Sequence, residues 1–193
     1  MHVIGIVGLP GSGKSEAAAV AREAGVPVVT MGDVIRRECR DRGLDPATHH
    51  GEVASTLRKE DGPAAIAERS LPIVENALES ADTVLIDGIR SDVEATRFET
   101  AFGAAFTLVA IEAPFETRAE RIDARGRDTP AATGGESLEA RDERERGFGM
   151  DDAIANADVT IDNTDSLDAF HERVRALLGE AATTADADRE AEP

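Results

Sequence analysis

The chain has 193 residues, enough for one domain with a substantial core and short for two. Hydrophobic residues make up 41%, a globular fraction, and no run approaches the 18 consecutive apolar residues of a membrane-crossing helix. The formal net charge of −18 argues against a nucleic-acid partner, whose phosphates require a basic footprint.

All but two of the 21 basic residues are arginine, leaving Lys14 and Lys59 as the only lysines. An acidic, lysine-poor surface is expected of a chain working in molar salt, as in a salt-loving archaeon. There the Debye length falls to about 3 Å and self-repulsion is screened. Cys39 is the single cysteine, so no intrachain disulfide can form. The chain enters a strand within two residues and lacks the zones of a signal peptide, so a cytoplasmic location without membrane contact is expected.

In chain order, strands are predicted at 3–7, 26–29, 83–86, 105–111 and 158–161. Helices are predicted near 13–24, 32–43, 51–60, 63–79, 91–102, 115–125 and 166–179. Strands apolar on both faces, alternating with helices, predict an α/β fold with a parallel sheet covered on both sides. Right-handed crossovers then gather the strand C-terminal ends at one edge, where ligands bind. Residues 1–180 read as one domain. Two segments interrupt the alternation: a helical insertion at about 32–79, and a polar, glycine-rich stretch at about 126–149 that reads as a lid. Residues 181–193 are too polar to pack and read as a disordered acidic tail.

The first strand runs into "GLPGSGKS", Gly8 to Ser15. Gly8, Gly13, Lys14 and Ser15 match G-x-x-x-x-G-K-[ST], in the strand-to-helix context that the motif requires. The backbone N–H groups of Gly8, Leu9, Pro10–Gly11, Ser12 and Gly13, proline excepted, can turn inward around phosphate oxygens, with a helix N-terminus aimed at them. Lys14 is expected to reach the β- and γ-phosphates of ATP and Ser15 to ligate Mg²⁺.

The second strand ends in "MGDVIRRECR". Asp33, Arg36, Arg37 and Arg40 share one helical face. Asp33 is expected at the sheet edge beside the glycine loop, where a carboxylate can hold Mg²⁺-bound water or take a proton from an acceptor hydroxyl. Arg36 is then placed for an anion of the second substrate, whereas Arg37 and Arg40 read as solvated. "TVLIDGIR" ends the third strand in Asp87, the position of an acid that orients Mg²⁺, followed by Arg90 over the same edge. "ETRAERIDARGR" carries an arginine row, Arg118, Arg121 and Arg125, within a 60° wedge. Such arginines can clamp phosphate oxygens and offset transition-state charge. Arg141 and Arg144 of the polar stretch could close over the same phosphates. His49 and His50 are adjacent, hence poorly placed to share one metal.

These segments together resemble the adenylate-kinase-like nucleotide kinases. "ADVTIDNTDSLDAF" looks more like dephospho-coenzyme A kinase, and an archaeal P-loop group combines both sets of features. The resemblance implies a three-layer P-loop fold with strand order 2-3-1-4-5, an acceptor insertion, a short lid and Mg-ATP as donor. It implies Arg36 and Arg90 on the acceptor phosphate, Arg121 and Arg125 on ATP, and Asn163 near the adenine. Arg58, in the insertion, is a further candidate for acceptor contact. The expected reaction is transfer of the γ-phosphoryl to a nucleoside monophosphate, dephospho-coenzyme A or a similar small molecule, by a monomer or homodimer. The rival expectation is a nucleotide-dependent switch or slow nucleoside triphosphatase acting on a protein partner, which would need neither Arg36 nor Arg90.

Overall fold

The computed structural model describes residues 1–125 and 136–190; the side chains of Arg125 and of residues 180–190 also lie outside what it describes. Five strands form one parallel sheet: β1 (His2–Val7), β2 (Val28–Thr30), β3 (Thr83–Asp87), β4 (Phe106–Glu112) and β5 (Val159–Asp162). Their order is β2-β3-β1-β4-β5, as the resemblance implies. β1 is central, so the glycine loop leaves the middle of the sheet. The register sets Ile6 beside Asp87 and Val7 beside Ala110, which brings the β3 carboxylate to the start of that loop.

Alternate residues of the strands feed two cores. Val3 and Val7 of β1 face one core, packed against α2 (Met31–Asp41), α3 (Pro46–Asp61), α4 (Ala65–Leu78), α5 (Asp92–Phe102) and α8 (Met150–Ala155). Ile4 and Ile6 face the other, packed against α1 (Lys14–Glu23) and α9 (Leu167–Glu190). All four of these β1 side chains are buried, as period-2 burial on both faces of a central strand requires.

The boundaries differ from expectation in three places. α3 begins at Pro46, five residues early, because Asp45 caps it by accepting from the Ala47 N–H at 3.0 Å and Pro46 occupies the first turn. The charged half of the polar stretch is α7 (Leu138–Gly147), capped by Ser137, which accepts from the Ala140 N–H at 3.2 Å. The short helix α8 follows it. α9 continues through Glu190, into the segment for which disorder is expected from composition. α6 (Phe115–Arg125) follows β4 and ends where the undescribed residues 126–135 begin, so the first half of the expected lid lies outside the described residues. Among the described residues no helix is long and apolar enough to cross a membrane.

Candidate functional site

The glycine loop is held by close backbone approach. At Gly8 (φ +149°) a Cβ would lie 2.4 Å from the Ile111 carbonyl oxygen of β4. At Gly13 (φ +121°) a Cβ would lie 2.3 Å from Asn163 Nδ2. No side chain fits either place, so the motif's glycines follow from the packing of β4 and of the loop after β5. The Lys14 Nζ donates to the carbonyls of Gly8 and, at 3.1 Å, Leu9. Burial pushes the Lys14 amine down to about 8, with Asp87 and Glu145 pulling it up and Arg90 and Arg118 pushing it further down.

In front of the loop lies a cleft of about 370 Å³. Lys14, Ser15 and Asp87 line it at the sheet edge, together with Arg36 of α2 and Arg90 of the β3–α5 turn. Arg141 and Arg144 of α7 also line it, as does Arg58 of α3. Six basic side chains therefore meet only two acidic ones, Asp87 and Glu145, in a chain of net charge −18. Such a local reversal of sign focuses anions into the cleft.

Ser15 and Asp87 offer a hydroxyl and a carboxylate on one wall beside Lys14, hard oxygen donors of the kind that Mg²⁺ prefers. Among the described residues no three His, Cys, Asp or Glu side chains cluster to hold a metal by themselves. A pair of protein oxygens completed by phosphates and water is the usual Mg²⁺ arrangement in such sites.

Other predicted residues are placed differently. Asp33 is exposed and does not line the cleft; its carboxylate accepts from Arg36 Nε at 2.9 Å. The pair is an i, i+3 contact on the helix surface, so Asp33 orients Arg36 rather than facing the loop. Arg37 and Arg40 are exposed, as expected. Asn163 is buried and committed: Nδ2 donates to the Ser12 carbonyl at 2.7 Å, and Oδ1 accepts from Arg121 Nη2 at 3.2 Å. The same Nη2 donates to the Asn163 carbonyl at 2.9 Å. Arg121 and Asn163 thus form a bracket behind the glycine loop. Arg121 Nη1 and Ser12 Oγ, both buried there, have no partner among the described residues. Arg125, the last of the predicted row, has its side chain outside the described residues.

Arg118, of which the sequence gives only a place in a row, is the most constrained arginine of the site. It is 3% exposed and grips Asp142 of α7 with both Nη atoms, at 2.8 and 2.6 Å. It also donates to the carbonyls of Pro10 at 2.9 Å and Ala113 at 3.2 Å. One side chain therefore ties the glycine loop, α6 and α7 together.

Sequence reasoning also passes over the acids that place the arginines. Glu145 of α7, nearly buried, accepts from Arg90 Nη1. Glu94 of α5, fully buried, accepts from Arg58 Nη2 at 3.0 Å and from the Arg90 backbone N–H at 2.9 Å. His50 lines the cleft between Arg36, Arg58 and Arg90; burial, then those arginines, lowers its pKa and keeps it neutral near pH 7. In sequence, the only trace of these roles is Ser91-x-x-Glu94, which reads as a capping box. Ser91 does cap α5, accepting from the Glu94 N–H, but the Glu94 carboxylate turns to the arginines.

A family model described as an AAA domain matches residues 4–146. The chain is similar to a UPF0200 protein of Halobacterium salinarum, with 67% identity over 178 residues, covering 92% of this chain and 93% of the relative. Among solved structures, TT1252 from Thermus thermophilus superposes with a TM-score of 0.63 at 25% identity, covering 93% of this chain and 97% of that one. A shikimate kinase from Bacteroides thetaiotaomicron gives 0.56 at 16% identity, covering 92% and 98%. A gluconokinase from Sinorhizobium meliloti gives 0.55 at 20%, covering 99% and 98%. The last two likenesses are of fold alone: the sheet, its strand order and the glycine loop are those of a P-loop kinase-like fold.

Proposed function

We propose that this chain, which belongs to the UPF0200 family and carries an AAA domain, is a Mg-ATP-dependent kinase of a small, nucleotide-like molecule. The observation that carries this reading is the shared cleft: Lys14, Ser15 and Asp87 line it together with Arg36 and Arg90. A site that only hydrolyses a nucleoside triphosphate needs the first set. The second set is what a second anionic substrate needs. The kinase folds of the superposed structures agree with this reading.

In the proposed mechanism the glycine loop cradles the donor phosphates, and Lys14 offsets charge on the transferring phosphoryl group. Ser15 and Asp87 are the residues that would hold Mg²⁺, which would supply positive charge to offset that of the donor phosphates. Arg121, bracketed by Asn163 behind the loop, holds the loop from that side. Arg36 and Arg90 fix the acceptor so that its nucleophilic oxygen lies in line with the γ-phosphorus, and α7, with Arg141 and Arg144 along the cleft, excludes competing water. Asp33 holds Arg36 in position, and the acceptor proton leaves to solvent.

The test is ATP consumption in molar KCl with Mg²⁺, with and without nucleoside monophosphates, dephospho-coenzyme A and small hydroxy acids. At least one acceptor is expected to accelerate turnover by about 100-fold or more over the acceptor-free rate. A rate indifferent to every acceptor would sink the kinase reading.

A further inference from the structure

α7 carries two buried acids one turn apart, Asp142 and Glu145, whereas Glu139 and Glu143 of the same helix are exposed. A carboxylate is tolerated out of water only where a cation meets it. These two are met in different ways. Both Asp142 oxygens are gripped by the Nη atoms of Arg118, which is itself buried and bonded to the Pro10 and Ala113 carbonyls. That pair is a fixed joint. Glu145 accepts through Oε1 from Nη1 of Arg90, whose side chain stays 42% exposed. The same oxygen has a second guanidinium at hand, Arg144 Nη2 at 3.7 Å, and Arg144 is also paired with Glu136.

Taking the kinase reading as given, we infer that Glu145 is a latch that substrate displaces: in the empty cleft its carboxylate takes the anion position on Arg90 and restrains ATP turnover, and an anionic acceptor takes Arg90 and passes the carboxylate to Arg144. A guanidinium offers a carboxylate and a substrate anion the same N–H groups, so the two compete for Arg90. The exchange leaves no buried charge alone, because Arg144 already stands beside the oxygen that Arg90 would release. Asp142 stays on Arg118 meanwhile, so α7 keeps its anchor.

The restraint is electrostatic. Transfer of the γ-phosphoryl, to water or to an acceptor, gains from positive charge around its oxygens. Glu145 lines the same cleft as Lys14 and Ser15, and its charge reaches the Lys14 amine. While it holds Arg90, that guanidinium is neutralised and a negative charge stands where the γ-phosphoryl needs a positive one. The donor phosphates meet the glycine loop, Lys14 and Ser15 and do not replace this contact. The second substrate does, so the charge that speeds transfer arrives with the acceptor, and hydrolysis in its absence is kept slow.

The test is ATP hydrolysis by the full chain in molar KCl with Mg²⁺ and no acceptor. Glu145→Gln is expected to turn over about tenfold faster than the wild type, with the KM for ATP within about twofold. The gain is expected to vanish in an Arg90→Gln background, because Glu145 acts through Arg90. A merely structural Glu145 would instead lower the rate in step with the folded fraction in both backgrounds. Glu145→Asp keeps a buried carboxylate but draws it back from Arg90 by one methylene; its rise of about threefold keeps the test open if Glu145→Gln fails to fold. An acceptor-free rate that rises in neither variant overturns the inference, as does a gain that persists with Arg90→Gln. Adding nucleoside monophosphates or dephospho-coenzyme A separates the two readings. An acceptor that accelerates the wild type, with neither Glu145 variant faster alone, overturns the latch and leaves the kinase reading intact. Faster Glu145 variants with no acceptor effect on any of the proteins support the latch on Arg90 and remove the kinase reading.

Discussion

The proposed donor wall and the proposed acceptor wall of the cleft are built in opposite ways. The donor wall comes from contiguous chain: eight residues running from the end of β1 into the first turn of α1, with Asp87 brought beside them by strand register. The acceptor wall is gathered from α2, α3, the β3–α5 turn and α7, and two of its arginines, Arg58 and Arg90, are held by acids far away in sequence. The first half depends on backbone geometry that a few glycines fix. The second depends on side-chain pairs between elements, so it is where specificity can change without disturbing the fold. Arg118 is the joint between them, bonded both to the Pro10 carbonyl of the loop and to Asp142 of α7.

Variants on either side should break this comparison differently. The largest effect is expected from Lys14→Met, which removes the one ammonium at the loop: turnover should fall about 10²–10³-fold, with the acceptor binding unchanged when titrated alone. Loss of acceptor binding as well would mean that the two walls are not separable. Next comes Arg118→Met. It leaves the Asp142 carboxylate buried without its partner, so denaturant unfolding should show a loss of about 3–5 kcal/mol. A loss below 1 kcal/mol would mean that α7 is not anchored through this pair.

Smaller changes sharpen the contrast. Glu145→Gln removes the carboxylate that competes for Arg90, so the acceptor KM should fall about threefold while the KM for ATP stays put. An unchanged acceptor KM would show that Glu145 does not compete. The smallest effect is on proton uptake. Lys14 sits at about 8 in the free protein, below its usual value, and phosphates laid against it raise that value again. Nucleotide binding should therefore take up almost no proton for Lys14 at pH 7 and a clear fraction of one near pH 9. Calorimetry in two buffers of different ionisation heat reads this directly, and equal uptake at both pH values would contradict it.

The sheet, its order and the glycine loop could be read from the sequence because each is encoded locally, in apolar runs and a fixed motif. Asp87, Arg36 and Arg90 could be read because strand ends converge at one edge of such a sheet. Asp33 was expected at the loop because it begins a helix there, but the spacing that put it near Arg36 also pairs the two on the helix surface. Asn163, expected near the adenine, donates to the Ser12 carbonyl, a contact that no spacing in the sequence announces. Glu94, Asp142 and Glu145 resemble any other acid of an acidic chain until the fold brings arginines 36, 24 and 55 residues away against them. Their importance lies in burial, which a charge pattern does not reveal.

The central claim is that one cleft joins a nucleotide to a second, anionic substrate. It is tested most directly by following the γ-phosphate itself, with ³¹P NMR of the protein, Mg-ATP and a nucleoside monophosphate in molar KCl. The account predicts that ADP and a newly phosphorylated acceptor rise together while inorganic phosphate stays minor. Inorganic phosphate rising in step with ADP, at a rate the monophosphate does not change, would contradict it.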